Sequence, residues 1–153
     1  MAREQFEIAT AIEQDHEKLR HAMNAIAEDA RSHFTLDGFQ EHKMQLLLRL
    51  RDFQNHLLKH FDLEEVGGFM EDIVKIAPHS ANEVERLERE HEKFLSDLRQ
   101  ILNDVKRAAN PESPSFVAAC RHLEELFSLI DDHEAREREL LQVSYLQDLG
   151  TGD

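Results

Sequence analysis

The chain has no tryptophan, one tyrosine and one cysteine, and only 5 glycines and 3 prolines among its 153 residues. Each shortage removes a class of structure. The single cysteine, Cys120, cannot form an internal disulfide, so the fold has to stand on its core. So few Gly and Pro leave too little turn chemistry for a sandwich or barrel of many short strands. No apolar run approaches the ~18 residues of a membrane span. The opening Met1-Ala2-Arg3-Glu4-Gln5 lacks the apolar centre of a signal peptide. Positive charge is also scarce: 18 Lys and Arg face 32 Asp and Glu, for a net charge of −14. Nucleic acid and anionic membranes both require a basic face, so neither is expected as a partner. The compartment these absences favour is the cytoplasm.

What is present points to helices. The length suits one domain spanning residues 1–153, and such a chain buries roughly 70% of its unfolded surface. Hydrophobic residues make up 41% and charged residues 33%, which excludes a disordered chain. Four long segments carry apolar residues at 3-4 spacing. The first runs from about Glu4 to Ala30 along Ala9, Ile12, Leu19, Met23 and Ile26. The second runs from about Phe39 to Glu65 along Leu46, Leu50, Phe53 and Leu57. The third, from about Ala81 to Ala109, uses Val84, Leu87, Phe94, Leu98, Ile101 and Val105. The fourth, from about Phe116 to Tyr145, uses Phe116, Cys120, Leu123, Phe127, Ile130, Leu140 and Leu141. Gly67-Gly68 suits the end of the second helix. Phe69 to Ile76 reads as a short extra helix closed by Pro78. Ser80, with Glu83 three residues on, reads as a capping box, and Ser115 as the cap of the last helix. The links are short, so the expected fold is all-α: an antiparallel up-down-up-down four-helix bundle over about residues 4–145, with a loose tail at 146–153.

Six seam positions carry the wrong kind of residue. His16, His60, Glu64, His91, His133 and Glu137 occupy places where the 3-4 spacing calls for apolar side chains. A buried carboxylate without a partner costs several kcal/mol or is driven neutral. No Lys or Arg lies on these seams, whereas a bound cation would supply the charge, and imidazole is the commonest metal-binding side chain. His60–Glu64 and His133–Glu137 are both i,i+4 pairs, so each projects from one helix face about 6 Å apart along the axis. His91 and His133 lie about equally far from the loop that joins their helices, ~27 Å at 1.5 Å per residue. Four imidazoles and two carboxylates suit two transition ions and exceed the needs of one structural zinc.

Taken singly, these features have ordinary readings. A lone seam histidine is more often a satisfied core residue, and a single H-x-x-x-E more often surface helix; their combination points to a metal site. His56, one turn before His60, reads first as an ordinary helix residue, with a place beside the site or as a spare ligand as the alternative, and Glu65 is a stand-in candidate for Glu64. His21, His33 and His42 read as surface. His122 reads as structural, and His79 lies ~18 Å from His91 along a continuous helix. The run Glu88–Glu92 reads as a solvated face. Tyr145 is a lone candidate for radical or hydrogen-bond work.

Together these residues resemble the hemerythrin-like, or HHE cation-binding, family over roughly residues 10–146. The resemblance rests on His16-Glu17-Lys18-Leu19-Arg20, on His60-Phe61-Asp62-Leu63-Glu64-Glu65 before Gly67-Gly68, on Glu90-His91, and on His133-Glu134-Ala135-Arg136-Glu137 with Leu140-Leu141. It implies a non-haem pair of iron ions in the bundle core, bridged by Glu64 and Glu137 and by an oxo or hydroxo group. His16, His60, His91 and His133 would be the terminal ligands. The implied partner is O2, another small diatomic or peroxide. One departure stands out. Oxygen-carrying members place H-x-x-x-H on the third helix, whereas Leu87 and Leu95 lie four residues either side of His91. The missing imidazole leaves room for solvent or His56, and turns the expectation from reversible storage toward sensing of O2, iron or nitric oxide. A binder or sensor is favoured over an enzyme. The rivals are a di-iron oxidase or peroxidase, a ferritin-like iron-handling bundle using Glu13-x-x-His16 and Glu88-x-x-His91, and a plain interaction module.

Overall fold

The computed structural model describes the backbone of residues 2–32 and 37–151, with side chains over 7–32 and 37–142. Its elements are α1 (Ala2–Arg31), α2 (Phe39–Glu65), α3 (Phe69–Ile76), a 3-10 turn at Pro78–Ser80, α4 (Ala81–Arg107) and α5 (Pro114–Thr151). The described residues contain no strand. The short extra helix is α3, at the bounds the sequence suggests. The last helix passes the expected end near residue 145. Tyr145 and the tail side chains, like His33, lie outside the described residues.

Each long helix packs on two others: α1 on α2 and α5, and α4 on α2 and α5. Cross-helix contacts fix the directions. Asp29 pairs with Arg49 while Asp15 pairs with His56, so α1 and α2 run antiparallel. Lys43 donates to the carbonyls of Lys106 and Ala108, so the start of α2 meets the end of α4. His133 and Arg136 both reach Glu90, and Arg136 also reaches Glu83, which sets α5 antiparallel to α4. The result is the four-helix bundle.

The 3-4 spacing becomes two apolar clusters. The larger gathers Leu19, Met23, Leu50, Phe53, Leu57, Phe61, Phe94, Leu98, Leu123 and Ile130, among others. The smaller joins Ile12, Leu87, Leu140 and Leu141 to Phe69, Met70 and Ile73 of α3, so α3 closes one end of the bundle. On every long helix the six polar seam residues fall between or beside these clusters. They form a polar layer between two dry ones.

Two glycines explain one helix end, while the two serines expected as caps do not act as such. A Cβ on Gly67 would stand 2.4 Å from the Leu63 carbonyl oxygen, so no other residue fits there without moving the end of α2. Gly68 has φ 77°, the left-handed conformation that glycine adopts without penalty, and it starts α3. Ser80 holds the N-cap position of α4, but its hydroxyl makes no cap, because the 3-10 turn runs straight into the helix. Ser115 lies inside α5, which starts at Pro114, a residue whose fixed φ and missing N–H suit a first position. Ser113 does the local work instead, its Oγ accepting from the N–H groups of Ala109 and Asn110. No helix among the described residues is long and apolar enough to cross a membrane.

Candidate metal centre

The six seam residues meet in one layer. His16, His60, Glu64, His91, His133 and Glu137 are all at most 3% exposed, and Glu64 is 0%. Two groups of donor atoms form. His16, His60, Glu64 and Glu137 offer atoms within 4.8 Å of one another, and so do His91, His133 and Glu137. Glu137 belongs to both groups. Its Oε2 lies 3.8 Å from His16 Nε2, and its Oε1 lies 2.5 Å from His133 Nε2. Glu64 belongs to the first group alone, with Oε1 2.9 Å from His60 Nε2 and 3.7 Å from His91 Nε2, so the sharing by both carboxylates that the family resemblance implies holds here for Glu137 only.

These approaches lack hydrogen-bond geometry. His16 Nε2, His60 Nε2, His91 Nε2, His133 Nε2, both oxygens of Glu64 and Oε1 of Glu137 are buried with no hydrogen-bond partner. Burying such atoms unsatisfied costs about 1–3 kcal/mol each, so seven in one layer mark a place built for a ligand. Among the described residues, no Lys or Arg pairs with Glu64 or Glu137; only imidazoles approach them.

Two further carboxylates aim the imidazoles. Asp15 accepts from His60 Nδ1 at 2.7 Å, and Glu90 accepts from His133 Nδ1 at 2.7 Å. Each bond leaves the Nε2 atom free toward the layer, which is how a carboxylate fixes the tautomer of a metal-binding histidine. The supports differ in their second partners. Asp15 also takes His56 Nε2 at 2.7 Å, whereas Glu90 is held by Arg136 Nη2 at 2.7 and 2.8 Å. The rings are packed as well as bonded. His91 stacks on Phe61 at 3.8 Å between centroids and 11° between planes, and Phe94 meets His133 edge-on at 5.2 Å.

Burial sets the protonation. It pushes His16 down to about 3 and His91 down to about 2. His133 is held near 4 by burial, although Glu90 partly offsets it. His60 goes the other way: burial would lower it, but Glu64 and Asp15 outweigh that and raise it. Burial raises Glu64. Burial would also raise Asp15 and Glu90, but the hydrogen bonds from His56 and His60, and from His133 and Arg136, hold both low. Three neutral imidazoles therefore face the layer, in the form that binds metals.

The other candidate residues lie outside the two donor groups. His56 is 30% exposed, is engaged by Asp15 and belongs to neither donor group. Glu65 is 40% exposed, and its Oε1 stays 3.6 Å from His91 Nδ1, outside both groups. The Glu88–Glu92 run is not wholly solvated, since Glu90 is 21% exposed and supports His133. Glu13 is exposed and Glu88 half-buried, and neither joins the donor groups of the E-x-x-H rival. His21, His42 and His79 are exposed and His122 is half-buried. The sequence alone assigns no role to Asp15, Glu90, Arg136 or Glu134. A signal for the first two existed: each immediately precedes a seam histidine, in Asp15-His16 and Glu90-His91. Glu134 is 2% exposed with neither oxygen hydrogen-bonded, and burial pushes it up to about 7. Arg20 Nη2 lies 3.9 Å from its Oε2.

The chain matches the model of the Hemerythrin HHE cation binding domain over residues 7–143. Comparison with curated proteins and with solved structures returned no match. The chain belongs to the Hemerythrin HHE cation binding domain family, and its core His/Glu cluster is suited to the cation that the family binds.

Proposed function

As a member of that family, the chain, we propose, holds a carboxylate-bridged pair of iron ions and uses it to bind O2 or to sense O2, iron or nitric oxide. One ion would take His16, His60 and Glu64, and the other His91 and His133, with Glu137 shared. The observation that carries this reading is Glu137, whose two oxygens point to different imidazoles in the two donor groups. A structural zinc needs four closed ligands, and six around a shared carboxylate exceed that. When bound, an iron pair supplies the electrons and the open coordination position that O2 chemistry requires.

The chain's own residues do the rest. Asp15 and Glu90 orient His60 and His133. Phe61 and Phe94 pack against His91 and His133 and hold their rings in place. Leu87 and Leu95 stand where a second imidazole of α4 would be, so the α4 side of the site has one histidine. That asymmetry favours a sensor or binder over a storage protein.

Ferrous protein mixed with O2 under single-turnover conditions tests the reading. We expect an optical change and uptake of about one O2 per iron pair, with no sustained consumption of peroxide. Continuous peroxide turnover would move the assignment to a di-iron peroxidase. An iron-loaded protein inert to O2 and nitric oxide would overturn it.

Asp15 supplies a second test. Asp15→Ala removes the acceptor shared by His56 and His60, and outer-shell changes of this kind weaken metal binding about 10–100-fold. The expected result in chelator competition is one ion lost readily and the other retained, with helix content by circular dichroism unchanged. Equal retention of both ions would remove Asp15 from the support of the site.

A further inference from the structure

Away from the metal layer, the α2–α4 face holds a groove of about 430 Å³. Arg51, Arg99 and Lys106 line it, with the amides of Gln54, Asn55 and Asn103. Buried Leu102 lies beneath them. No carboxylate lines it, although the chain carries 32 of them. Several other arginines have acidic partners, Arg49 with Asp29, Arg107 with Asp104 and Arg136 with Glu90, while among the described residues Arg121 and Arg138 stand apart and singly. Among the described residues, the side chains of Arg51, Arg99 and Lys106 have no acidic partner.

The register brings two of them together. Lys43 of α2 touches the Lys106 carbonyl of α4. Antiparallel helices keep level along their length, and Arg51 lies about 12 Å up α2 from Lys43 while Arg99 lies about 10 Å back along α4 from Lys106. The two arginines therefore stand at about the same level of the bundle, and both line the groove. Like charges placed so, with no acid between them, repel. A tetrahedral oxyanion relieves that repulsion and accepts from both planar forks, which Arg presents in a geometry suited to phosphate. The three amides add neutral donors and acceptors around it.

We propose that this groove binds a phosphate group, free or carried on a small molecule. The chain's overall negative charge repels anions at a distance, so recognition depends on these local contacts and falls with salt.

Isothermal titration of the iron-loaded protein tests the proposal, using inorganic phosphate and a nucleoside monophosphate in turn, against chloride at matched ionic strength. Saturable binding by either compound is expected. Phosphate alone saturating the groove identifies the free anion as sufficient. Saturation by the nucleotide only assigns the amides to the rest of the ligand. The double variant Arg51→Gln/Arg99→Gln, both exposed positions, should weaken binding at least tenfold while keeping iron content and melting temperature. No saturable heat beyond chloride, or equal heats in the variant, would overturn the proposal. Removal of iron by phosphate would appear equally in the variant and count as that second outcome.

Discussion

Glu137→Gln is expected to reduce iron from about two ions per chain to well under one, because a single side chain serves both donor groups. The amide keeps the volume, so no cavity confuses the result. It removes the negative charge and one of the two oxygens that face His16 and His133. Melting temperature gives an independent readout. An ion held a hundredfold above its Kd adds about 2.7 kcal/mol to the native state, so wild type should gain several degrees on loading and the variant almost none. Without metal the sign reverses. The variant should melt no lower than wild type, since a buried carboxylate lacking a hydrogen bond at Oε1 has been made neutral. Glu65→Gln is the control. Its side chain is outside both groups, and full iron is expected. Full iron in Glu137→Gln would mean that the shared carboxylate does not hold the pair.

Acid unfolding of the metal-free protein is expected to be steep below about pH 4.5. His16, His91 and His133 are held near 3, 2 and 4 by burial, whereas an unfolded imidazole titrates near 6.5. The unfolded chain therefore binds protons first. Stability from these groups is complete above about 6.5 and is lost as pH falls through the folded values. Glu64 and Glu134 act oppositely. Burial raises both, Glu134 to about 7, so their contribution favours the fold on the acid side and is lost as pH rises. His60, raised by its carboxylate partners despite burial, has that same sign. The Glu134 and imidazole effects overlap between about pH 4.5 and 7 and flatten the profile there, whereas the contribution of His60 is lost above about 6.5. Below that range the imidazole loss continues without that opposition and is joined by Asp15 and Glu90, whose lowered values give stability that acid removes. Each unmatched proton contributes about 1.4 kcal/mol per pH unit, and domains of this size hold only about 5–15 kcal/mol. Far-ultraviolet circular dichroism against pH reads the transition, and helix content unchanged down to pH 3 would contradict this balance.

The six layer residues were legible because each breaks an apolar seam, and a seam is set by helix period alone. His60–Glu64 and His133–Glu137 were readable as pairs for the same reason. What lies between helices was not. Asp15 and Glu90 matter because α1 and α4 rotate them toward His60 and His133, and no period within one helix encodes that angle. Glu134 shows a second limit. It falls off the α5 seam, yet α5 buries a wider arc where α1 packs, and the residue is enclosed. The helix ends show a third. Ser80 and Ser115 have the chemistry of caps, but the 3-10 turn before α4 and Pro114 at the start of α5 settle those ends first. The short helix α3 and the Gly67-Gly68 turn were legible because steric demands there are local.

Elemental analysis of the purified chain, expressed with iron supplied, tests the central claim most directly. The account predicts about two irons per chain, lost together on removal of Glu137. One iron per chain would show that the single histidine of α4 does not hold a second ion. Absence of stoichiometric metal would contradict the account and leave seven unsatisfied buried atoms without a purpose.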